Sequence, residues 1–232
     1  VFVHPLRKDG WISIGVLAVL SVIHIVGGLA PVVGRLAQLF VAGMRSAYYF
    51  AIIASTLNGK DNPPDWPSVS DYTQDILRPC FTMFGLILLS FLPLLAWEWW
   101  QGKDANRLVS LILMAAGSVY LPMACIAYVI SDDANAALPH RVLPALGRCL
   151  LSTIPSAALL WLVLAVMYAT YVFVSRKSIQ ALLPWMSFQV KCWPLLVIGA
   201  VVMHSGSLMM LVIHARIVGL IGRRLRDRIN LG

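Results

Sequence analysis

Apolar runs long enough to cross a bilayer recur six times in this chain and leave it few folds to choose from. A helical crossing needs about 20 predominantly apolar residues. Inside hydrocarbon, backbone polar groups must be satisfied within the helix itself. The candidate spans are residues 11–30, 36–56, 81–97, 108–130, 150–174 and 193–218. Five spans result if residues 31–56 form an interfacial or re-entrant element instead. Charged residues are only 12% of the 232 and hydrophobic residues 59%, where a soluble domain carries about 25% charge. The expected fold is all-α: a polytopic integral membrane protein, one transmembrane domain over residues 1–232, with short interfacial amphipathic helices between spans.

The net charge of +8 does not point to nucleic acid, because the basic residues are scattered between apolar runs and gather only at the C-terminus. That pattern is a topology signal, and its bias over six spans favours both termini in the cytoplasm. The basic tail at 223–232 contains "RRLRDR". Its Arg223, Arg224 and Arg226 are candidate contacts for anionic lipid or for an acidic partner face. Residue 1 is Val, compatible with a portion of a longer chain. The first run lacks a small-x-small cleavage site leading into soluble sequence, so it is expected to be a retained span.

The most polar and least helical stretch is "NGKDNPPDWPS", residues 58–68. Gly59 suits a helix C-terminal cap, and Pro63 and Pro64 stop the helix from continuing. Trp66 is expected to anchor the chain at the membrane interface. Ser68 and Asp71 fit a capping box opening a short helix in "SVSDYTQDI". In it Asp71 and Asp75 share one edge while Tyr72 and Ile76 share another. The segment is thus expected to turn the chain as a hairpin between the second and third spans. Trp66, Asp71 and Asp75 become candidate contacts for lipid or partner. Asp61, Asp65, Asp71 and Asp75 lack the regular spacing of a calcium loop. Similar proline-broken links precede later spans, and the endings "RPC", "GRC" and "VKC" hint at internal repetition.

Arg45 lies inside the second span, where a charge costs about 2.5–3.5 kcal/mol on insertion scales. It is expected to face protein, a cavity or a partner, with Tyr48 and Tyr49 near its stem. His24, His204 and His214 also fall in apolar runs. They are weak candidates for cofactor ligands; the pair His24 and His204 would suit haem, although a hydrogen bond within the bundle is the plainer role for each. No cofactor is strongly indicated, and no metal spacing, phosphate loop, dinucleotide fingerprint or catalytic triad occurs. Cys80, Cys125, Cys149 and Cys192 sit singly in or beside apolar runs and read as buried thiols. The spans hold no Asp or Glu that would relay protons, Glu98 being at an edge. No catalytic residues emerge.

The stretch "GMRSAYYFAIIASTLNGKDNPPDWPSVSDYTQDILRP", residues 43–79, resembles an uncharacterised family of bacterial multi-pass membrane proteins, a domain of unknown function. In that family a glycine-led apolar span is followed by a short link with Gly, Pro and Trp and then an amphipathic helix. Gly59, Pro64 and Trp66 are the matching positions, and the link here carries an extra proline. The resemblance covers about one sixth of the chain. It implies a bacterial inner membrane and supplies no activity. The expected function is a non-catalytic membrane subunit or assembly scaffold of a larger membrane complex, in contact with membrane lipids and other membrane protein subunits. A transporter or channel component is the alternative, for which a polar cavity around Arg45 or His204 is expected.

Overall fold

The structure, a computed structural model, describes residues 33–60, 62, 64–67, 71–102, 106–147 and 209–224, with isolated positions between 15 and 23 and between 154 and 162. The runs at 11–30 and 150–174 therefore lie almost wholly outside the described residues. The run at 193–218 enters them only from residue 209. Helix α1 is Val33–Leu57, α2 is Arg78–Gln101 and α3 is Arg107–Ser131. A single π-type turn, Thr73–Leu77, leads into α2, and a 3-10 turn, Ala134–Ala137, follows α3. Helices α4 (139–147) and α5 (209–224) complete the described bundle. No strand occurs among the described residues. Among the described residues, three segments are long and apolar enough to cross a membrane: Arg35–Leu57, Thr73–Gln101 and Arg107–Ser131.

Local chemistry sets the ends of these helices. Asn106 caps α3 by accepting a bond from the Leu108 N–H at 2.9 Å. Gly59 ends α1 in the left-handed region at φ 74°. There the Lys60 N–H donates to Ser55 O and the Gly59 N–H to Thr56 O, both at 3.0 Å, the paired bonds of a Schellman cap. Asp132 ends α3 in the same region, at φ 51°. Pro93 and Pro122 sit inside α2 and α3 without interrupting either helix. Membrane helices accommodate such prolines when neighbours re-satisfy the freed groups.

Small residues hold the helices together. In a bilayer, lipid tails are as apolar as leucine, so close van der Waals packing, rather than removal of surface from water, drives helix association. α2 and α3 form an antiparallel pair: Arg78 meets Asp132 at one end, Glu98 meets Ser110 at the other, and Gly117 faces Ser90 and Phe91 between them. α5 lies along α1 in the same direction. His214 meets Tyr49, Gly219 packs on Ile53 and Thr56, and Gly222 on Leu57. α3 passes the same seam in the opposite sense, with Ile126 at Gly222 beside Leu57, and Tyr128 on Phe50.

The link after α1 differs from the expected hairpin. It folds back along α1, so that Trp66 stacks on Tyr48, Tyr72 lies against Phe40, and Ile76 presses on Gly43. At 1.5 Å per residue, Gly43 is about 21 Å from Leu57 along the helix. Asn58–Lys60 and Arg78 are therefore not neighbours at one face, and α2 sets off in the same sense as α1. Large aromatic and aliphatic side chains cause this. Val41, Met44 and Ile76 form a buried cluster, with Phe40, Trp66 and Val16 packed against it.

Candidate functional site

Two polar features interrupt the apolar bundle. The first is a buried cluster where α1, α3 and α5 meet. Tyr49 Oη and His214 Nδ1 share a 2.9 Å hydrogen bond, and their rings lie nearly parallel at 6.0 Å. Cys125 of α3 stands beside Tyr49. All three are buried, His214 at 3% exposure. With one ring nitrogen engaged by Tyr49, His214 acts here as a bond between helices. The partners are 165 positions apart, and no local pattern pairs them. Tyr120 of α3 similarly donates to Ala137 O, tying the 3-10 turn to the bundle.

The second feature is a cleft of about 760 Å³ between the C-terminal half of α1 and the returning link. Its α1 wall carries Ala51, Ala54, Ser55 and Asn58, which recur on one helical face and are too small to fill the space. Its other wall holds Lys60, Asn62, Pro64 and Asp65. Cations gather at this end of α1. Arg216 donates from Nη1 to Lys60 O at 3.4 Å, and the Arg223 guanidinium lies over Gly59. Positive charge at a helix C-terminus complements its dipole. Two further clefts are apolar. One, about 460 Å³, lies between α2, α3 and α4 around Ser90, Gly117 and Leu143; the other, about 520 Å³, runs along α2 from Phe81 to Leu92.

Several sequence candidates take structural roles. Trp66 is not an exposed anchor: its ring stacks on Tyr48 at 4.1 Å and packs against both buried clusters. Asp71 is itself the cap of the helical turn into α2, accepting from Thr73 N at 3.0 Å and Gln74 N at 3.1 Å. Asp75 closes the box by accepting from Asp71 N at 3.3 Å. The capping position thus lies three residues later than the Ser68–Asp71 pattern suggests; Ser68 is outside the described residues.

Arg45 is half-buried on α1 and lines none of the three clefts. Tyr48 and Tyr49, expected beside its stem, are engaged by Trp66 and His214. Arg223 and Arg224 are the last described residues of α5. His24, His204 and Arg226 lie outside the described residues. Among those described, no group of three or more His, Cys, Asp or Glu is placed to hold a metal ion.

The outer face of α2 is apolar. Phe81, Phe84, Leu88, Leu92 and Leu95 are all exposed along it, and Trp99 and Trp100 end it. In its most apolar window 11% is buried, against 50% in α1 and in α3. Comparison with protein-family models, curated proteins and solved structures finds no match.

Proposed function

We propose that this chain is a non-catalytic subunit or assembly scaffold of a larger membrane complex, with α2 as the face it offers to other membrane subunits and lipids. The observation that carries the reading is the contrast between α2 and its neighbours. Half of the most apolar window of α1 and of α3 is buried inside the bundle, against 11% for the segment that contains α2. Among the described residues, buried Tyr49 and His214 bond to each other across helices, Tyr120 bonds to Ala137 O of the 3-10 turn, and Thr56, Ser90 and Ser118 bond to carbonyls of their own helices.

The setting we infer is a bacterial inner membrane, with both termini cytoplasmic. Residues 43–79 support the bacterial assignment by their resemblance. The gathering of Lys60, Arg216, Arg223 and Arg224 at one end of α1 supports a cytoplasmic placement for that end, since basic residues are retained there. Purification from native membranes in mild detergent, followed by native mass spectrometry, tests the subunit reading. A second integral membrane polypeptide at fixed stoichiometry is the expected result. A monomer or homo-oligomer as the sole species overturns it.

A further inference from the structure

The cleft beside the end of α1 has a composition the subunit role does not use. Lys60 and Asp65 bring opposite charges to its rim, and both are exposed. Neither makes an ion pair among the described residues, where Arg78 with Asp132 is the salt bridge found. Lys60 is also not needed to neutralise the helix end, because Arg216 and Arg223 already stand there. The neutral Asn58 and Asn62 line the same cleft. Ala51, Ala54 and Pro64 add apolar lining. A volume of about 760 Å³ falls within the range of small-molecule sites, roughly 300–1,000 Å³.

We propose that this cleft binds a zwitterion: a primary ammonium facing Asp65 and a phosphate oxyanion facing Lys60. A phosphoethanolamine group has this chemistry, whether carried by a bilayer lipid or free in solution. A choline headgroup keeps the charges but has no N–H to give Asp65. A glycerol headgroup has no cation. The site therefore discriminates by hydrogen bonding at one end and by charge at the other. Charge-assisted hydrogen bonds are the strong ones and are geometrically selective.

The test uses the full chain in detergent micelles, with retained lipid counted by native mass spectrometry. The probes are phosphatidylethanolamine, phosphatidylcholine and phosphatidylglycerol of identical acyl chains, and soluble O-phosphoethanolamine. Phosphatidylethanolamine is expected to be retained at least about tenfold more strongly than the other two lipids, the worth of one charge-assisted hydrogen bond. Lys60→Gln and Asp65→Asn should each remove most of that preference. Both residues are exposed, so neither change disturbs the buried clusters. Ala54→Leu fills the cleft with both charges intact and should abolish retention as well.

Binding of O-phosphoethanolamine alone would assign the site to a free zwitterion, and binding of the lipid alone would assign it to a headgroup; either supports the proposal. Equal retention of all three lipids with no binding of O-phosphoethanolamine, or unchanged binding in Lys60→Gln, Asp65→Asn and Ala54→Leu, overturns it.

Discussion

Replacing Gly43 by alanine should loosen the returning link from α1, and the size of the effect can be worked from the contact. A Cβ on Gly43 would stand 2.3 Å from Ile76 Cγ2 and 2.8 Å from Ile76 O. Carbon atoms in good contact are about 3.5–4.0 Å apart, so Ile76 must withdraw by more than 1 Å. It has nowhere to go without loss. Ile76 is 0% exposed and closes the cluster made with Val41 and Met44. Overpacking of this kind costs about 1–3 kcal/mol. Alanine also improves a helix interior by roughly 0.5–1 kcal/mol over glycine, which hides part of the clash.

Gly85→Ala supplies the correction, because a Cβ there meets nothing within 4 Å and Gly85 is likewise inside a long apolar helix. Gly43→Ala should therefore be less stable than Gly85→Ala by about 1–3 kcal/mol. The assay is denaturant unfolding in detergent followed by circular dichroism. Ile76→Ala removes Cγ2 and should recover part of the loss in the double variant, a coupling of about 0.5–2 kcal/mol. Recovery stays incomplete because the Ile76 carbonyl remains. Ile76→Val keeps Cγ2 and should recover nothing. Equal stability of the two glycine variants, or equal recovery by Ala and Val, would refute the contact and the path of the link with it.

Three further outcomes follow from the same packing. Tyr49→Phe removes the hydroxyl bonded to His214 and should lower stability by about 0.5–2 kcal/mol in the same unfolding assay, the span of hydrogen bonds measured between membrane helices. Gly219→Ala should destabilise more than Gly222→Ala on thermal challenge in detergent. The first Cβ meets the β-branched Thr56 at its Cβ, 2.6 Å away, while the second meets the Leu57 Cδ2 methyl at 2.7 Å, the far end of a side chain that can turn aside. Gly59→Ala forces a side chain into the left-handed region at φ 74° and should cost about 1–2 kcal/mol, read from the midpoint of the same transition.

Features set by neighbours in sequence were legible before the structure. Apolar runs around residues 36–56, 81–97 and 108–130 coincide with long helices because hydrocarbon-length segments have no alternative that satisfies their backbone. Gly59 was readable as a cap because few other residues accept its backbone angles. The capping of the turn at Thr73 was readable in kind but not in register: Ser68 and Asp71 offer equally good capping chemistry, and only the seating of Ile76 on Gly43 selects Asp71. Pairings over long separations were not legible. Trp66 has the composition of an interfacial anchor, and nothing local shows that Tyr48 waits to stack on it. His214 likewise gains its role only when α5 lies along α1. The cleft beside Lys60 exists because the link turns back, so its lining could not be assembled from sequence either.

The account rests on α2 being a face that other membrane subunits cover, and a photo-crosslinking amino acid placed there tests this most directly. Phe84, 63% exposed, is the site, and Ile53, 0% exposed inside the bundle, is the control. Irradiation of native membranes should join the Phe84 position to one discrete membrane polypeptide other than the chain itself, and leave the Ile53 position joined only within the chain. Adducts at Phe84 to lipid alone, or to a second copy alone, would contradict the account.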